Sequence, residues 1–442
     1  MSNEAMSATE LAEAIFRDAI AAVRADRLIV ERVRLKGDAL DVADLSIDLT
    51  SINRIFVVGA GKASAAMASA MEGVLGDRLG AGIVVTKRGH GAATLTIEIL
   101  EAGHPIPDEA SVEAGRAIHE LVGQAGERDL VICLLSGGAS ALMELQCDGV
   151  SLEDLRETTN LLLRSGATIN DLNAVRACLS RLKAGGLARA AFPARVTCLA
   201  ISDVLGNPLD VIGSGPCYLP AHDVLDAVSV LMKFDLWERV PEAVRQTVQS
   251  TDRIETDPAK GHVDHIILAD IWTAIDAARG SAVKHGLKPA ILTASLQGEA
   301  RDAGRLFGQI ARDLPKTYAS NGIDCYIAGG ETTVTVTADG KGGRSQEIAT
   351  AAAIELDGVH NVALLAAGTD GTDGPTEVAG GLVDGMTLNN AAVMGASAQA
   401  TLKDNDTYSF LEAANSHVLT GPTQTNVGDL VIVVYSHSPR RA

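Results

Sequence analysis

Five short apolar runs in this chain each end in a glycine-rich loop, and that repetition constrains the fold more than any other feature. The loops fall in VVGAGKAS (57–64), LLSGGASAL (134–142), ISDVLG (201–206), IAGGETT (327–333) and LLAAGTDGTDG (364–374). Buried parallel strands read as continuous apolar runs. Ligands of such sheets bind beyond the carboxyl ends of the strands. Glycine there lets backbone N–H groups approach an anion. Repeated loops of this kind, with lysine and several carboxylates among them, point to a phosphate-handling α/β enzyme.

At 442 residues the chain has room for two or three domains. Hydrophobic residues make up 47% but aromatics only 3%, so the cores must be built from Ala, Val, Leu and Ile. A net charge of −19 argues against nucleic-acid binding, which needs a basic face. The six cysteines, at 133, 147, 178, 198, 217 and 325, form no C-x-x-C pair or zinc-like spacing. Cys133, Cys198 and Cys325 read as small buried hydrophobes. The polar start lacks a signal-peptide pattern, and no apolar stretch approaches the ~18 residues of a membrane span. A cytoplasmic protein is expected, with no membrane partner, as a monomer or homodimer.

Periodicity predicts helices over 7–35, 62–75 and 108–123, and mostly helix over 151–191 with a break near Gly166. Strands are expected at 54–58, 83–86, 130–135 and 196–201. The polar stretch 250–263 marks a boundary, giving domains 1–255 and 256–442. A second alternation follows: strand 265–269, helix 271–285, strand 290–293, helix 298–313, strand 324–328, helix 344–356, strand 362–367 and strand 430–435. Alternating Thr-Val-Thr-Val-Thr at 333–337 reads as a hairpin strand. Each domain is expected to hold a largely parallel sheet flanked by helices.

Neither common nucleotide motif fits the first loop. A dinucleotide turn expects glycine or alanine where Ser64 stands, and a Walker A loop would need residues other than Phe56 and Ala63. What remains is Lys62 near a strand-to-helix turn, either an anion-neutralising cation beside Gly59 and Gly61 or an ordinary solvated lysine. Ser136, Gly137, Gly138 and Ser140 form either an anion nest or a close helix–strand packing surface. Asp203, at a strand end, could hold Mg²⁺, act as a base or cap a helix. Asp370 and Asp373 could contact metal or substrate, or simply make turns. Arg344 could clamp a carboxylate or phosphate, or form a surface ion pair. Lys183 and Glu331 are further candidates for contacting substrate. His104 reads as structural.

In order along nearly the whole chain, VVGAGKAS, LLSGGASAL, the tract 158–188, ISDVLGNPLDVIGSGP (201–216), GGETTVTV (329–336), GGRSQE (342–347), AAGTDGTDGPTEVAGG (366–381) and LTGPTQTNVGDL (419–430) resemble the class II glycerate kinases, whose C-terminal part is the MOFRL domain. The resemblance implies a two-domain α/β enzyme with its active site in the interdomain cleft. It implies transfer of the ATP γ-phosphoryl group to D-glycerate with Mg²⁺, giving 2-phosphoglycerate and ADP. The family's catalytic lysine falls on Lys62 and its functional arginine on Arg344. Asp203 would then orient or deprotonate the 2-hydroxyl, with Asp203 and Asp370 as the carboxylates for Mg²⁺. Two departures stand out: Ala184 and Gln424 occupy positions where glycine is frequent. The rival is an NAD(P)H-dependent hydroxypyruvate reductase, suggested by Gly59-x-Gly61 and opposed by Lys62 and Ser64.

Overall fold

The computed structural model describes residues 6–219, 227–250 and 257–436. Helix α1 (Ala8–Ala22) opens with a capping box between Ser7 and Glu10 and buries Leu11, Ile15, Phe16 and Ile20. Helix α2 (Ala25–Arg32) leads into a small antiparallel meander, β1 (Val33–Lys36), β2 (Ala39–Val42) and β3 (Leu45–Asp48). Its alternation puts Leu40, Val42 and Ile47 inward.

The first large sheet then builds up. Its elements are β4 (Arg54–Ala60), α3 (Ser64–Leu75), β5 (Leu79–Lys87), β6 (Ile97–Ala102), α4 (Glu109–Val122), β7 (Asp129–Leu135), α5 (Ala139–Leu142), α6 (Leu152–Arg164), α7 (Ile169–Leu179), α8 (Gly186–Ala191), β8 (Arg195–Ile201), α9 (Ala227–Lys233), α10 (Glu242–Ser250) and β9 (Val263–Ala269). The strand order is β6-β5-β4-β7-β8-β9. Pairings β5–β6, β4–β5, β4–β7 and β7–β8 are all parallel. Strands β4 and β7 are central and almost wholly buried, which is why they carry no polar alternation.

The second large sheet comprises β10 (Pro289–Leu296), β11 (Cys325–Gly330), β12 (Val362–Gly368), β13 (Gly380–Asp384), β14 (His417–Val418) and β15 (Asp429–Tyr435). Its helices are α11 (Ile271–Lys284), α12 (Ala300–Asn321), α13 (Arg344–Leu356), α14 (Thr387–Val393), α15 (Ala398–Lys403) and α16 (Thr407–Ala413). The order is β10-β11-β15-β12-β13-β14. Among the described residues of this sheet only β10–β11 pairs in parallel, and β15 runs antiparallel between β11 and β12. The expectation of a largely parallel second sheet is thus corrected. A strand buried on both faces has the same apolar signature in either direction, so the sequence carried no sign of the reversal.

The chain divides into two compact units, one of Ala25–Leu268 and one of Met1–Arg24 together with Ala269–Ala442. This differs from a cut at 255/256 in two ways. Strand β9, expected to open the second domain, lies at the edge of the first sheet. Helix α1, expected in the first domain, packs on α11, β12 and β15. Its apolar stripe signals that it needs a partner, but not which one. Residues 333–337 are also not a strand: Thr333 makes a lone bridge to Glu299. The Thr335 N–H and hydroxyl donate to the Glu299 carboxylate, and the Thr337 N–H donates to Asn405 Oδ1 at 2.8 Å. Side chains there take the bonds a ladder would have used.

Candidate active site

In the unit Ala25–Leu268, the loops after β4 and β7 interlock. Gly61 has φ of +137°, and a Cβ there would lie 2.1 Å from Ser136 Oγ. The Lys62 N–H donates to the Gly137 carbonyl at 2.9 Å, the Ala63 N–H to Ser136 Oγ at 2.9 Å, and the Ser136 N–H to the Ala60 carbonyl at 3.1 Å. Ser64 Oγ donates to the Gly61 carbonyl at 2.6 Å and lies 2.9 Å from that of Val85. Gly59 lies against the Leu134 backbone, where a Cβ would sit 2.1 Å from the carbonyl oxygen. Gly59, Gly61, Ser136 and Gly137 therefore serve close packing of the two loops, an alternative the sequence had offered for the Ser136–Ser140 loop alone.

That packing sets the position of Lys62, which is half-buried. Gly138, with φ of +86°, is the N-cap residue before α5 and lies against both Lys62 and His104. A Cβ at Gly138 would stand 2.9 Å from His104 Cδ2 and 3.6 Å from Lys62 Cγ. His104, read from sequence as structural, is therefore a neighbour of the candidate lysine.

A polar chain continues from this loop. Ser140 Oγ and Ser214 Oγ are 2.7 Å apart, and Ser214 Oγ reaches Asn173 Oδ1 at 3.4 Å. Arg176 Nη2 donates to the Ser140 carbonyl at 3.1 Å. Arg176 was part of the polar tract 158–188 but was not singled out from sequence. Asp203 lies just beyond β8, after Ser202, and is half-buried, in a turn where Ser202 Oγ accepts the Val204 N–H.

Lys183 does not present its charge to a ligand, contrary to expectation. Its side chain is 2% exposed and its ammonium is ion-paired with Glu144, which is fully buried. Burial, against the pull of Glu144, brings the Lys183 ammonium down to about 8. Burial likewise disfavours the charge on Arg176, while Glu144 supports it. Glu144, Lys183 and Arg176 thus form an internal charge network behind the Ser140 loop.

In the other unit, Arg344 is the first residue of α13. Its guanidinium grips Asp429 with two bonds, Nε at 2.5 Å and Nη2 at 3.1 Å, and Nη1 donates to Glu331 at 2.6 Å. Burial opposes this charge, but Asp429 and Glu331 outweigh it and raise the Arg344 pKa. Asp429, in the 419–430 motif, was not picked out from sequence. Asp373 is a buried cap for the same helix: it accepts the Ser345 N–H at 3.2 Å, the Gln346 N–H at 2.8 Å and Gln346 Nε2 at 3.0 Å. Burial and the nearby Asp429 push its carboxyl up to about 6. A Cβ on Gly343 would stand 2.3 Å from Asp373 Cγ, so the close approach of this cap requires glycine. Asp370 accepts the Thr372 N–H at 3.0 Å. Among the described residues, neither Asp203 nor Asp370 belongs to a close set of three ligand groups.

Of the two departures from glycine, both lie in left-handed backbone: Ala184 has φ of +47° and Gln424 of +61°. Side chains are sterically strained at these angles, which is the physical reason to expect glycine at both positions.

A family model described as "Domain of unknown function (DUF4147)" matches residues 11–249, and the MOFRL family model matches residues 324–429. The chain is 41% identical over 428 residues to a D-glycerate 2-kinase of Thermotoga maritima, covering 96% of this chain and 98% of that one. It is 37% identical to a glycerate 2-kinase of Pyrococcus horikoshii, covering 97% and 98%. The crystal structure of a glycerate kinase from Thermotoga maritima superposes with a TM-score of 0.83 at 39% identity, covering 97% of this chain and 99% of that one.

Proposed function

Since the chain belongs to the glycerate 2-kinase family, we propose that it transfers the γ-phosphoryl group of ATP to the 2-hydroxyl of D-glycerate, giving 2-phosphoglycerate and ADP. The observation that carries this is the 41% identity to a D-glycerate 2-kinase across 96% of the chain. No described helix is long and apolar enough to cross a membrane.

Phosphoryl transfer asks a protein mainly to position the reactants and neutralise charge on the moving group. Lys62 is our candidate for that charge, because two interlocked loops hold its backbone with the N–H already committed to Gly137. A preorganised cation needs little rearrangement as charge develops. Arg176 and the Ser140–Ser214 pair supply further donors in the same unit for a phosphate or carboxylate. Asp203 is assigned to orient or deprotonate the 2-hydroxyl. Mg²⁺ enters as part of the Mg-ATP substrate; Asp203 in one unit and Asp370 in the other are each a candidate carboxylate to meet it. Arg344 is held by Asp429, and its bond to the more exposed Glu331 is the one an incoming anion would displace.

The packing of Gly61 against Ser136 favours the kinase over a hydroxypyruvate reductase. In a dinucleotide fold the glycine turn stays open to the pyrophosphate, whereas here it is filled by another loop. The test is ADP release from Mg-ATP with D-glycerate, the product then being offered to enolase alone. ADP release with direct enolase conversion is expected. Conversion only after adding phosphoglycerate mutase would move the phosphate to the 3-hydroxyl. No ADP release, with NADH consumed on hydroxypyruvate, would overturn the proposal in favour of the reductase.

A further inference from the structure

Cysteines far apart in sequence converge in the core of the unit Ala25–Leu268. Cys133 on β7 and Cys198 on β8 are direct register partners on adjacent parallel strands. Cys217 follows the 3₁₀ turn Ile212–Ser214 and comes to the same place. The three sulfurs lie within 4.8 Å of one another, and all three residues are buried. Sulfurs this close leave a point within about 2.8 Å of each, near the ~2.3 Å of a Zn–S bond. His265, on the neighbouring strand β9, shares a cavity lining with Cys198 and Cys217 and is close enough to the Cys198 thiol and the Cys217 backbone carbonyl for both to favour its charged form, while standing outside the cluster of three sulfurs. A metal-binding histidine is commonly oriented by such a carbonyl. A cavity of about 10 Å³ is lined by Cys198, Cys217 and His265 together with Tyr218, Ile266 and Ile267. That is close to the room one small occupant needs.

We propose that Cys133, Cys198 and Cys217, with His265 as fourth ligand, form a structural binding site for a thiophilic divalent cation of the zinc type. Sulfur-rich tetrahedral donor sets select such ions over Mg²⁺ or Ca²⁺, which prefer oxygen. Binding converts three thiols to thiolates and releases their protons to solvent, while His265 binds neutral; no electron changes hands. The bound ion would tie β7, β8 and β9 to the loop carrying Ser214, which is bonded to Ser140. The usual spacing rules could not find this site, because its ligands come from separate strands and a loop rather than a local knuckle.

The test uses the full chain, purified without a polyhistidine tag or chelator. Elemental analysis is expected to give about one zinc per chain. Cobalt(II) added to metal-stripped protein is expected to give a thiolate-to-metal charge-transfer band and strong tetrahedral d–d bands, saturating at one equivalent. Cys217→Ser should abolish both, while the double variant Cys147→Ser/Cys178→Ser, at the two partly exposed cysteines, should leave both unchanged. If Cys217→Ser does not fold, the cobalt spectrum of the parent chain still decides. Metal-free protein whose cobalt spectrum shows only weak octahedral bands, or bands that disappear in the Cys147→Ser/Cys178→Ser variant, would overturn the site.

Discussion

Replacing Glu144 by Gln should be among the most destabilising isosteric changes in the unit Ala25–Leu268. The substitution preserves shape and removes only the negative charge. Lys183, 2% exposed, is then left in the core without a counter-charge. Breaking one side of a buried pair costs about 3–5 kcal/mol. The lysine can escape by losing its proton, and that sets a ceiling. From the ordinary 10.5 down to pH 7, deprotonation costs about 5 kcal/mol at 1.36 kcal/mol per unit. For a unit of this size, 3–5 kcal/mol corresponds to a fall in melting temperature of roughly 6–20 °C. The sign of the pH dependence follows. In the parent chain Lys183 titrates at about 8 when folded and near 10.5 when unfolded. Between those values the unfolded state binds more protons, so this lysine makes stability rise with pH. Without its partner the lysine gives up its proton at lower pH still, so the deficit of Glu144→Gln should shrink up to about pH 8 and stay level above it, where both chains follow the same slope. The double variant Glu144→Leu/Lys183→Met should recover most of the loss, since an apolar pair of similar volume needs no counter-charge. Urea unfolding followed by circular dichroism at pH 7 and pH 10 measures all three chains. A single-variant loss below about 1 kcal/mol, or a double variant as unstable as Glu144→Gln, would refute the reasoning.

Lys62→Ala should lower kcat by about 10²–10³ with unchanged circular dichroism, as for loss of one preorganised charge-stabilising group; near-normal steady-state turnover of the folded variant would reject its role. Arg344→Lys should lose the two-bond grip on Asp429 and about 1–3 kcal/mol of stability, because an ammonium cannot reproduce the guanidinium fork; denaturant titration checks this. Asp373, at about 6 when folded against an ordinary 3.8, binds its proton more tightly in the native state. Its contribution to stability is therefore lost as pH rises from about 4 to 6, and Asp373→Asn should lack that slope in pH-resolved thermal melts. Ala184→Gly and Gln424→Gly should each stabilise the chain by about 0.5–1 kcal/mol by relieving left-handed strain, unless calorimetry finds them neutral or worse.

The first sheet could be read closely from sequence because its strands are short apolar runs separated by amphipathic helices, a pattern that parallel βα units impose. The place of Lys62 at a strand's carboxyl end was equally readable. Lys183 was misjudged because its partner Glu144 lies 39 residues away, and a lysine's burial cannot be inferred from its local neighbours. Asp373 was ambiguous for a related reason: turn-forming and helix-capping aspartates share one local pattern, and only the approach of Gly343 distinguishes them. The reversal of β15 and the attachment of α1 depend on long-range pairing. Local periodicity is silent on both.

The interleaving of the two units also bears on how the chain is made. Residues 25–268 form one contiguous compact unit, so the partners of its strands and helices are all made before the remainder has left the ribosome. For the other unit this does not hold. Its first helix, α1, is made at the outset, yet it packs on β12 and β15, and β15 fills the middle of the sheet between β11 and β12. The two extremities meet where Ser436 Oγ donates to the Met6 carbonyl at 3.1 Å. The apolar face of α1 must therefore wait for α11 to be made before it meets any partner in its unit, and for β15 before its cover is complete, a span in which a holding chaperone has most to protect. A message truncated before codon 429 would leave α1 without the last of its partners and the sheet without its centre, even though all of residues 25–268 had been made.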